Sequence, residues 1–331
     1  MQEEIVYKVL QLLEEKTGLK ARWYAIANDK KVDGTVELKL QKERINIPAE
    51  FKKEVKNIHL SQFYSLKNQY PDLIVIAETI FPVIREQLRT MNVNYADANG
   101  NCYIKKDKWV FFVDGFKTDT PQINKKDRAF TKTGLLLLFH LLNDEKYLNV
   151  TYRQMSEDYG IALGNVNYIM NSLKDQGYLI KTDRKSARLI NKKKLFEEWI
   201  TAYEQKLKPQ LSLGSYRFLN SFDKDWRKLP LDNYETQWGG EPAASLLTGY
   251  LKPAKLVLYT SEKKIDLIKK YKLVPDEKGL LSIYNKFWKF ECINSDTVPD
   301  MLVYADLINS NDPRNLETAT LLYDRLFKEQ L

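Results

Sequence analysis

Cysteine and histidine are scarce: Cys102 and Cys292 lie far apart in the chain, and only His59 and His140 accompany them. Four such scattered residues make neither a disulfide framework nor a zinc-ligand spacing, which sets aside structural zinc and thiol catalysis. Glycine and proline are also few, 13 and 11 of 331 residues, so collagenous and low-complexity chains are excluded. Long apolar runs are missing. Leu135–Leu142 contains His140 and Leu73–Ala77 is short, whereas a bilayer span needs about 20 apolar residues, so no membrane partner is expected. The opening Met1-Gln2-Glu3-Glu4 is acidic, the reverse of the basic start of a signal peptide, and a cytoplasmic protein is expected. What remains is an ordered, 44% hydrophobic and 12% aromatic chain, long enough for two or three domains at roughly 150 residues each.

The formal charge of +8 is unevenly spread. Residues 125–210 hold 16 Lys and Arg against 10 Asp and Glu, while residues 211–331 balance at 17 against 17. Within the basic stretch, Lys174–Lys194 carries eight cations and two carboxylates. A charge run of this kind is often only a solvated face, and its structural setting decides whether it meets an anionic partner.

Periodicity divides the chain into three parts. Residues 1–118 alternate helix and strand signals: a helix at Glu3–Lys16 with Ile5, Val9, Leu12 and Leu13 on one face, strands at Arg22–Ala27, Gly34–Leu40 and Ile45–Phe51, and a helix at Lys53–Asn68. A buried strand at Leu73–Ala77, a helix at Ile80–Met91 and closing strands at Asn94–Ala96, Cys102–Ile104 and Val110–Val113 follow, around a turn at Asp97–Gly100. Polar, proline-bearing Lys117–Lys126 reads as a linker. Residues 127–208 read as helices with one charged hairpin, and residues 211–331 return to mixed helix and strand.

The middle part has a recognisable order. A Leu-rich helix at Lys132–Asn143 is followed by a short strand at Leu148–Val150 and a capping box at Thr151–Gln154, which starts a helix running to Tyr159. After the turn Gly160–Gly164, a second helix over Asn165–Gln176 turns Val166, Ile169, Met170 and Leu173 inward and Asn165, Asn167, Tyr168, Asn171, Ser172 and Lys174 outward. Gly177 ends it, and strands at Tyr178–Lys181 and Arg188–Ile190 flank a basic tip. Helix, helix, turn, helix, basic hairpin is the order of a winged helix-turn-helix. It predicts double-stranded DNA as partner, with Asn165, Asn167, Tyr168, Asn171 and Lys174 toward the groove and Lys181, Arg184, Lys185 and Arg188 on phosphates. A winged helix that serves only as a protein-interaction module is the alternative.

Asp33 precedes one strand, and Glu50-Phe51-Lys52 ends the next, just before a helix containing His59 and Gln62. This spacing resembles the restriction-endonuclease-like fold, PD-(D/E)xK, although Val32 stands where proline is usual. Strand alternation puts Glu50 and Lys52 on one face. The resemblance implies that Asp33 and Glu50 would hold Mg2+ and that Lys52 would act on the attacking water. Asp33, Glu50 and Lys52 are therefore candidate catalytic residues; a vestigial site that needs no cofactor is the simpler expectation.

In residues 211–331, Gly239-Gly240 superficially suggests a nucleotidyltransferase, but the paired aspartates such a site needs do not follow, and Gly240-Glu241-Pro242 reads as a helix start. Asp312-Pro313 likewise opens a final helix on which Arg314 and Glu317 could pair. Together with Ala49–Lys52, Tyr95–Asn101 and the winged helix, the stretches Trp238–Ala244, Tyr304–Leu307 and Asp312–Arg314 resemble the AbiEi family of transcriptional regulators, the antitoxins of type IV toxin–antitoxin systems. The resemblance implies a bacterial DNA-binding repressor of its own operon that counters a co-encoded nucleotidyltransferase toxin. Better-known AbiEi antitoxins carry the winged helix near the N-terminus, whereas here residues 1–126 precede it.

The expected fold is thus α/β and multidomain: a restriction-endonuclease-like domain over 1–118, a winged helix-turn-helix over 127–208 and a mixed α/β domain over 211–331, the last a candidate partner-binding region. The expected function is DNA-binding regulation without catalysis. A Mg-dependent DNA endonuclease and a protein-binding antitoxin without DNA binding are the alternatives.

Overall fold

A computed structural model describes residues 2–25, 32–40, 43–107, 109–116, 128–182, 186–219, 225–232, 234–290, 296–310 and 312–329. The chain forms two compact units, Met1–Gln122 and Ile123–Leu331. The expected linker at Lys117–Lys126 lies outside the described residues.

The first unit runs α1 (Gln2–Thr17), β1 (Lys20–Ala25), β2 (Gly34–Leu40), β3 (Glu43–Val55), α2 (Asn57–Gln69), β4 (Ile74–Ile80), α3 (Pro82–Thr90), β5 (Asn94–Asp97), β6 (Cys102–Lys106) and β7 (Trp109–Val113). Its seven strands lie side by side in chain order. β1 to β3 are antiparallel, β3 to β5 are parallel through crossovers α2 and α3, and β5 to β7 are again antiparallel. That α/β alternation is the one expected, with three shifts. The α1 core face is Val6, Val9, Leu10 and Leu13, with Ile5 and Leu12 at its edges, the i, i+3, i+4, i+7 stripe of a helix on a sheet. β3 extends to Val55 because its parallel ladder with β4 continues through Glu54 and Val55, and α2 starts four residues later than expected. Ile80 ends β4, and Pro82, which lacks an amide hydrogen to donate, opens α3.

The α1 side of the sheet buries Val36, Leu38, Ile47, Ala49, Ile74, Ile76 and Ala96. Because strand side chains alternate, Glu50 and Lys52 point to the opposite face, toward α2. The expected turn at Asp97–Gly100 is held by Asp97 Oδ1, which accepts from the amides of Asn99 (2.9 Å) and Asn101 (3.0 Å). Buried Arg85 bridges Asp97 (3.4 Å) and Asp114 (2.9 Å).

The second unit opens with α4 (Lys132–Asn143), a 3-10 turn at Glu145–Asn149, α5 (Tyr152–Tyr159), α6 (Leu163–Asp175), β8 (Leu179–Lys181), β9 (Ala187–Leu189) and α7 (Lys192–Ala202). A π-helical turn at Tyr203–Leu207 leads into α8 (Lys208–Leu211) and β10 (Ser212–Phe218). A 3-10 turn at Trp226–Lys228, β11 (Thr236–Gly239), α9 (Gly240–Thr248), β12 (Leu256–Thr260), α10 (Lys264–Tyr271), β13 (Leu273–Pro275), β14 (Leu281–Asn285), α11 (Asp300–Ile308) and α12 (Pro313–Glu329) complete it. The five-stranded sheet has the order β11-β12-β14-β10-β13, with only β12 and β14 parallel. The helical segment and this sheet share one core: Phe139 of α4 stacks on Trp199 of α7 at 5.2 Å and meets Phe287 at 4.9 Å, and Trp199 stacks on Tyr203 at 4.9 Å.

Three local expectations are corrected here. Leu148–Val150 is no strand: Asp144 caps a 3-10 turn by accepting from the Lys146 amide at 2.9 Å, and the Asn149 side chain, not a backbone ladder, meets the hairpin by accepting from the Ala187 amide at 3.1 Å. The capping box is half made, since Thr151 accepts from the Gln154 amide (3.1 Å) while the Gln154 side chain turns forward to Asp158 (2.7 Å). Arg314 pairs with Asp312 at 2.8 Å rather than with Glu317, which accepts from Tyr250 instead.

Candidate nucleic-acid interface and the regions around it

α5 and α6 meet at a turn in which Gly160 adopts φ +65°, a left-handed conformation that a residue with a Cβ resists. Apolar spacing then fixes the rotation of α6. Val166, Ile169, Met170 and Leu173 are buried, while Asn165, Asn167, Tyr168 and Asn171 are exposed and Lys174 is half-buried. α6 starts at Leu163, two residues before its expected start. Asn171 Nδ2 donates weakly to Asn167 Oδ1 at 3.4 Å, one turn away. Ser172 departs from the expected outward set. It is buried, accepting from the Ala129 amide (3.3 Å) and from Gln176 (2.9 Å), so it ties α6 to the segment before α4.

Gly177, at φ +73°, ends α6 and turns the chain into the β8–β9 hairpin. Lys181 and Arg188 are exposed on its two strands. Arg184 and Lys185 lie outside the described residues. The basic stripe divides beyond the hairpin: Lys192 pairs with Glu145 at 2.7 Å, and Lys193 and Lys194 lie over the rings of Tyr323 (5.3 Å) and Tyr178 (5.9 Å). These three lysines are engaged with the unit's own side chains. One cation that the sequence did not single out joins the exposed face, because the Arg128 guanidinium sits 5.7 Å from the ring centre of Tyr168. No local pattern signals it, since the pair is formed across 40 residues.

In the first unit, Asp33, Glu50 and Lys52 come together. The Asp33 amide donates to Ala49 O (3.1 Å), and its carboxylate accepts from the Phe51 amide (2.8 Å). Glu50 Oε1 accepts from Lys52 Nζ (2.5 Å) and from Gln62 Nε2 of α2 (2.9 Å). Burial is the largest effect on Glu50 and raises its pKa above the usual carboxylate range; Lys52 and Gln62 pull the other way, and the Asp33 charge adds to the rise. His59 instead caps α2, its Nδ1 accepting from the Lys56 amide at 3.1 Å. Among the described residues no group of three or more His, Cys, Asp or Glu side chains could hold a metal. Two carboxylates nevertheless suit Mg2+, which commonly keeps several of its waters.

Of the stretches noted in residues 211–331, Trp238–Ala244 and Tyr304–Leu307 are buried framework, whereas Asp312 is half-buried and Pro313 and Arg314 are exposed. Trp238 of β11 packs edge-on against Trp226 at 5.1 Å. Glu241, at the start of α9, accepts from the amides of Ala254 (2.5 Å) and Lys255 (3.2 Å) and from Asn315 Nδ2 (3.0 Å), which ties α9 to the first turn of α12. Asp306 of α11 accepts from Tyr259 and Tyr203 and pairs with Lys208.

The fold is that of a mixed α/β protein with several sheets, whose second unit combines helices, a two-stranded sheet and a five-stranded sheet. Residues 188–328 match the family model described as transcriptional regulator, AbiEi antitoxin, type IV TA system. The match begins at Arg188 in the hairpin and spans the Trp238–Ala244, Tyr304–Leu307 and Asp312–Arg314 stretches, bearing out over this segment the resemblance seen in the sequence. Comparison with curated proteins and with solved structures found no match. Among the described residues no helix is long and apolar enough to cross a membrane.

Proposed function

We propose that residues 127–208 are a winged helix-turn-helix that binds double-stranded DNA, and that the chain is an autoregulating transcriptional regulator and antitoxin of a type IV toxin–antitoxin system. The observation that carries this reading is the rotation of α6, which buries its apolar stripe and leaves Asn165, Asn167, Tyr168 and Asn171 exposed in the same small region as the hairpin. Asparagine offers both a donor and an acceptor to a base edge, and cations on the hairpin suit phosphates. The family match supports the regulatory and antitoxin side and implies a toxin partner; the resemblance seen in the sequence makes a co-encoded nucleotidyltransferase the proposed one. Charge reversal at Lys181 and Arg188 is expected to weaken binding to every duplex, while Asn167→Ala relaxes sequence preference. Wild-type affinity and preference in both variants would sink the assignment.

A second reading rests on the first unit, whose order α1, β1, β2, β3, α2, β4 is compatible with the restriction-endonuclease-like domain expected from the sequence. Convergence of Asp33, Glu50, Lys52 and Gln62 on one spot favours a Mg-dependent DNA endonuclease. Asp33 and Glu50 would hold the ion, which when bound activates water and screens phosphate charge, and Lys52 would orient that water. Magnesium-dependent cutting that disappears in Glu50→Ala supports this reading; no cutting by the wild-type chain removes it.

A further inference from the structure

Between the start of α5, the C-terminal half of α6 and the base of the hairpin lies an open pocket of about 230 Å³. Its apolar lining is Leu148, Val150, Met170, Leu179 and Ala187. Its polar lining is Asn149, Thr151, Tyr152, Lys174, Lys181 and Ser186, two ammonium groups with no carboxylate among the lining residues. Among the described residues neither lysine has an ion-pair partner, in contrast to Lys192 and Lys208. The pKa of the Tyr152 phenol is raised by burial and pulled back by the Lys181 charge, so the two lie within electrostatic reach of each other.

A cavity with uncompensated positive charge and hydroxyl donors favours an oxyanion over a neutral or cationic guest. Its position narrows the class further. Lys174 follows Asn171 by three residues and Asn167 by seven, so it continues the stripe that α6 leaves exposed, and Lys181 belongs to the hairpin. The α5 N-terminus adds the positive end of its helix dipole. We infer that this pocket seats one phosphodiester of the DNA backbone, gripped jointly by Lys174, Lys181 and the Tyr152 hydroxyl. The inference rests on the DNA-binding reading and adds to it a single phosphate held from two elements. Thr151 and Asn149 shape the wall, since each is already committed to an amide of the protein.

The arrangement makes a non-additive expectation. Each phosphate neutralised contributes about 0.9 to the slope of log K against log salt. Because both lysines serve one phosphate, the double Lys174→Gln, Lys181→Gln variant of the full-length protein is expected to lower the slope by about one in total, and each single variant by no more than that. Lys181→Arg keeps the wild-type slope, and unchanged circular dichroism and Tm confirm that the variants fold. A double variant that loses about two, or none, overturns the shared seat. If the wild-type chain binds no DNA at all, the DNA-binding reading fails, and titration with inorganic phosphate followed by NMR decides the pocket separately. Shifts at Tyr152 that vanish in the double variant uphold an oxyanion seat filled from solution; no shift ends the proposal.

Discussion

Lys208 Nζ lies 3.1 Å from Asp306 Oδ1 inside the second unit, and Asp306 also accepts from Tyr259 at 3.0 and 3.1 Å and from Tyr203 at 3.3 Å. This network joins the π-helical turn, α8 and β12 to α11, the helix carrying Tyr304–Leu307. The π-helical turn at Tyr203–Leu207 precedes Lys208 directly, so an irregular backbone element sits where two of Asp306's partners are presented. Removing one member of a buried pair strands the other. Asp306→Ala is expected to cost the second unit about 3 kcal/mol in urea unfolding, and a loss below about 1 kcal/mol would show that Lys208 finds water instead.

His140 is buried in α4, its Nδ1–H donating to Leu136 O at 2.7 Å, with the ring 4.0 Å from that of Tyr159 and edge-on to Phe290. Burial pushes its pKa from 6.5 down to about 4, and the Lys289 charge acts in the same direction. The unfolded chain therefore takes up a proton near pH 6.5 that the folded chain refuses until about pH 4, so stability is lost as pH falls through that window. The shift corresponds to about 3 kcal/mol. His140→Phe is expected to remove that share of the pH dependence; parallel stability curves for the two proteins between pH 6.5 and 4 would contradict it.

Glu50 has the opposite sign. Its pKa is raised in the fold, so the stability given by the protonated form is present below pH 4.5 and lost as pH rises through the raised value. Glu50→Gln should gain stability relative to wild type between pH 4.5 and 7.5, measured by urea unfolding. A relative stability that stays flat would mean that Lys52 compensates the carboxylate fully.

The Arg128–Tyr168 stack offers a separate handle on the exposed face of α6. An exposed cation–π contact holds the guanidinium by about 0.5–1 kcal/mol, which presents Arg128 beside the exposed face of α6. Arg128→Gln is expected to reduce the salt slope of DNA binding by about one, with Tm unchanged. An unaltered slope would leave Arg128 a packing residue.

Much of this fold is legible in the sequence because apolar periodicity specifies which face of each element is buried. The α6 stripe and the pairing of Glu50 with Lys52 both follow from it. What escaped depends on side chains reaching backbone groups. Asp144 and Asn149 replace a strand with a capped turn, Ser172 turns inward to the Ala129 amide, and Gln154 prefers Asp158 to its own cap. The eight cations of Lys174–Lys194 look equivalent in sequence, yet Lys192, Lys193 and Lys194 are spent on Glu145, Tyr323 and Tyr178. The pocket at Tyr152 and the stack at Arg128 are formed by distant segments and leave no local pattern.

The most direct test is binding of the full-length chain to labelled DNA from its own upstream region at 50 and 200 mM salt, with unrelated duplex as competitor and with or without magnesium. Binding is expected to be tight, to weaken about 100-fold across that range if four phosphates are neutralised, to resist displacement by unrelated DNA, and to leave the duplex uncut. No binding at low salt, or equal affinity for unrelated DNA, would contradict that expectation.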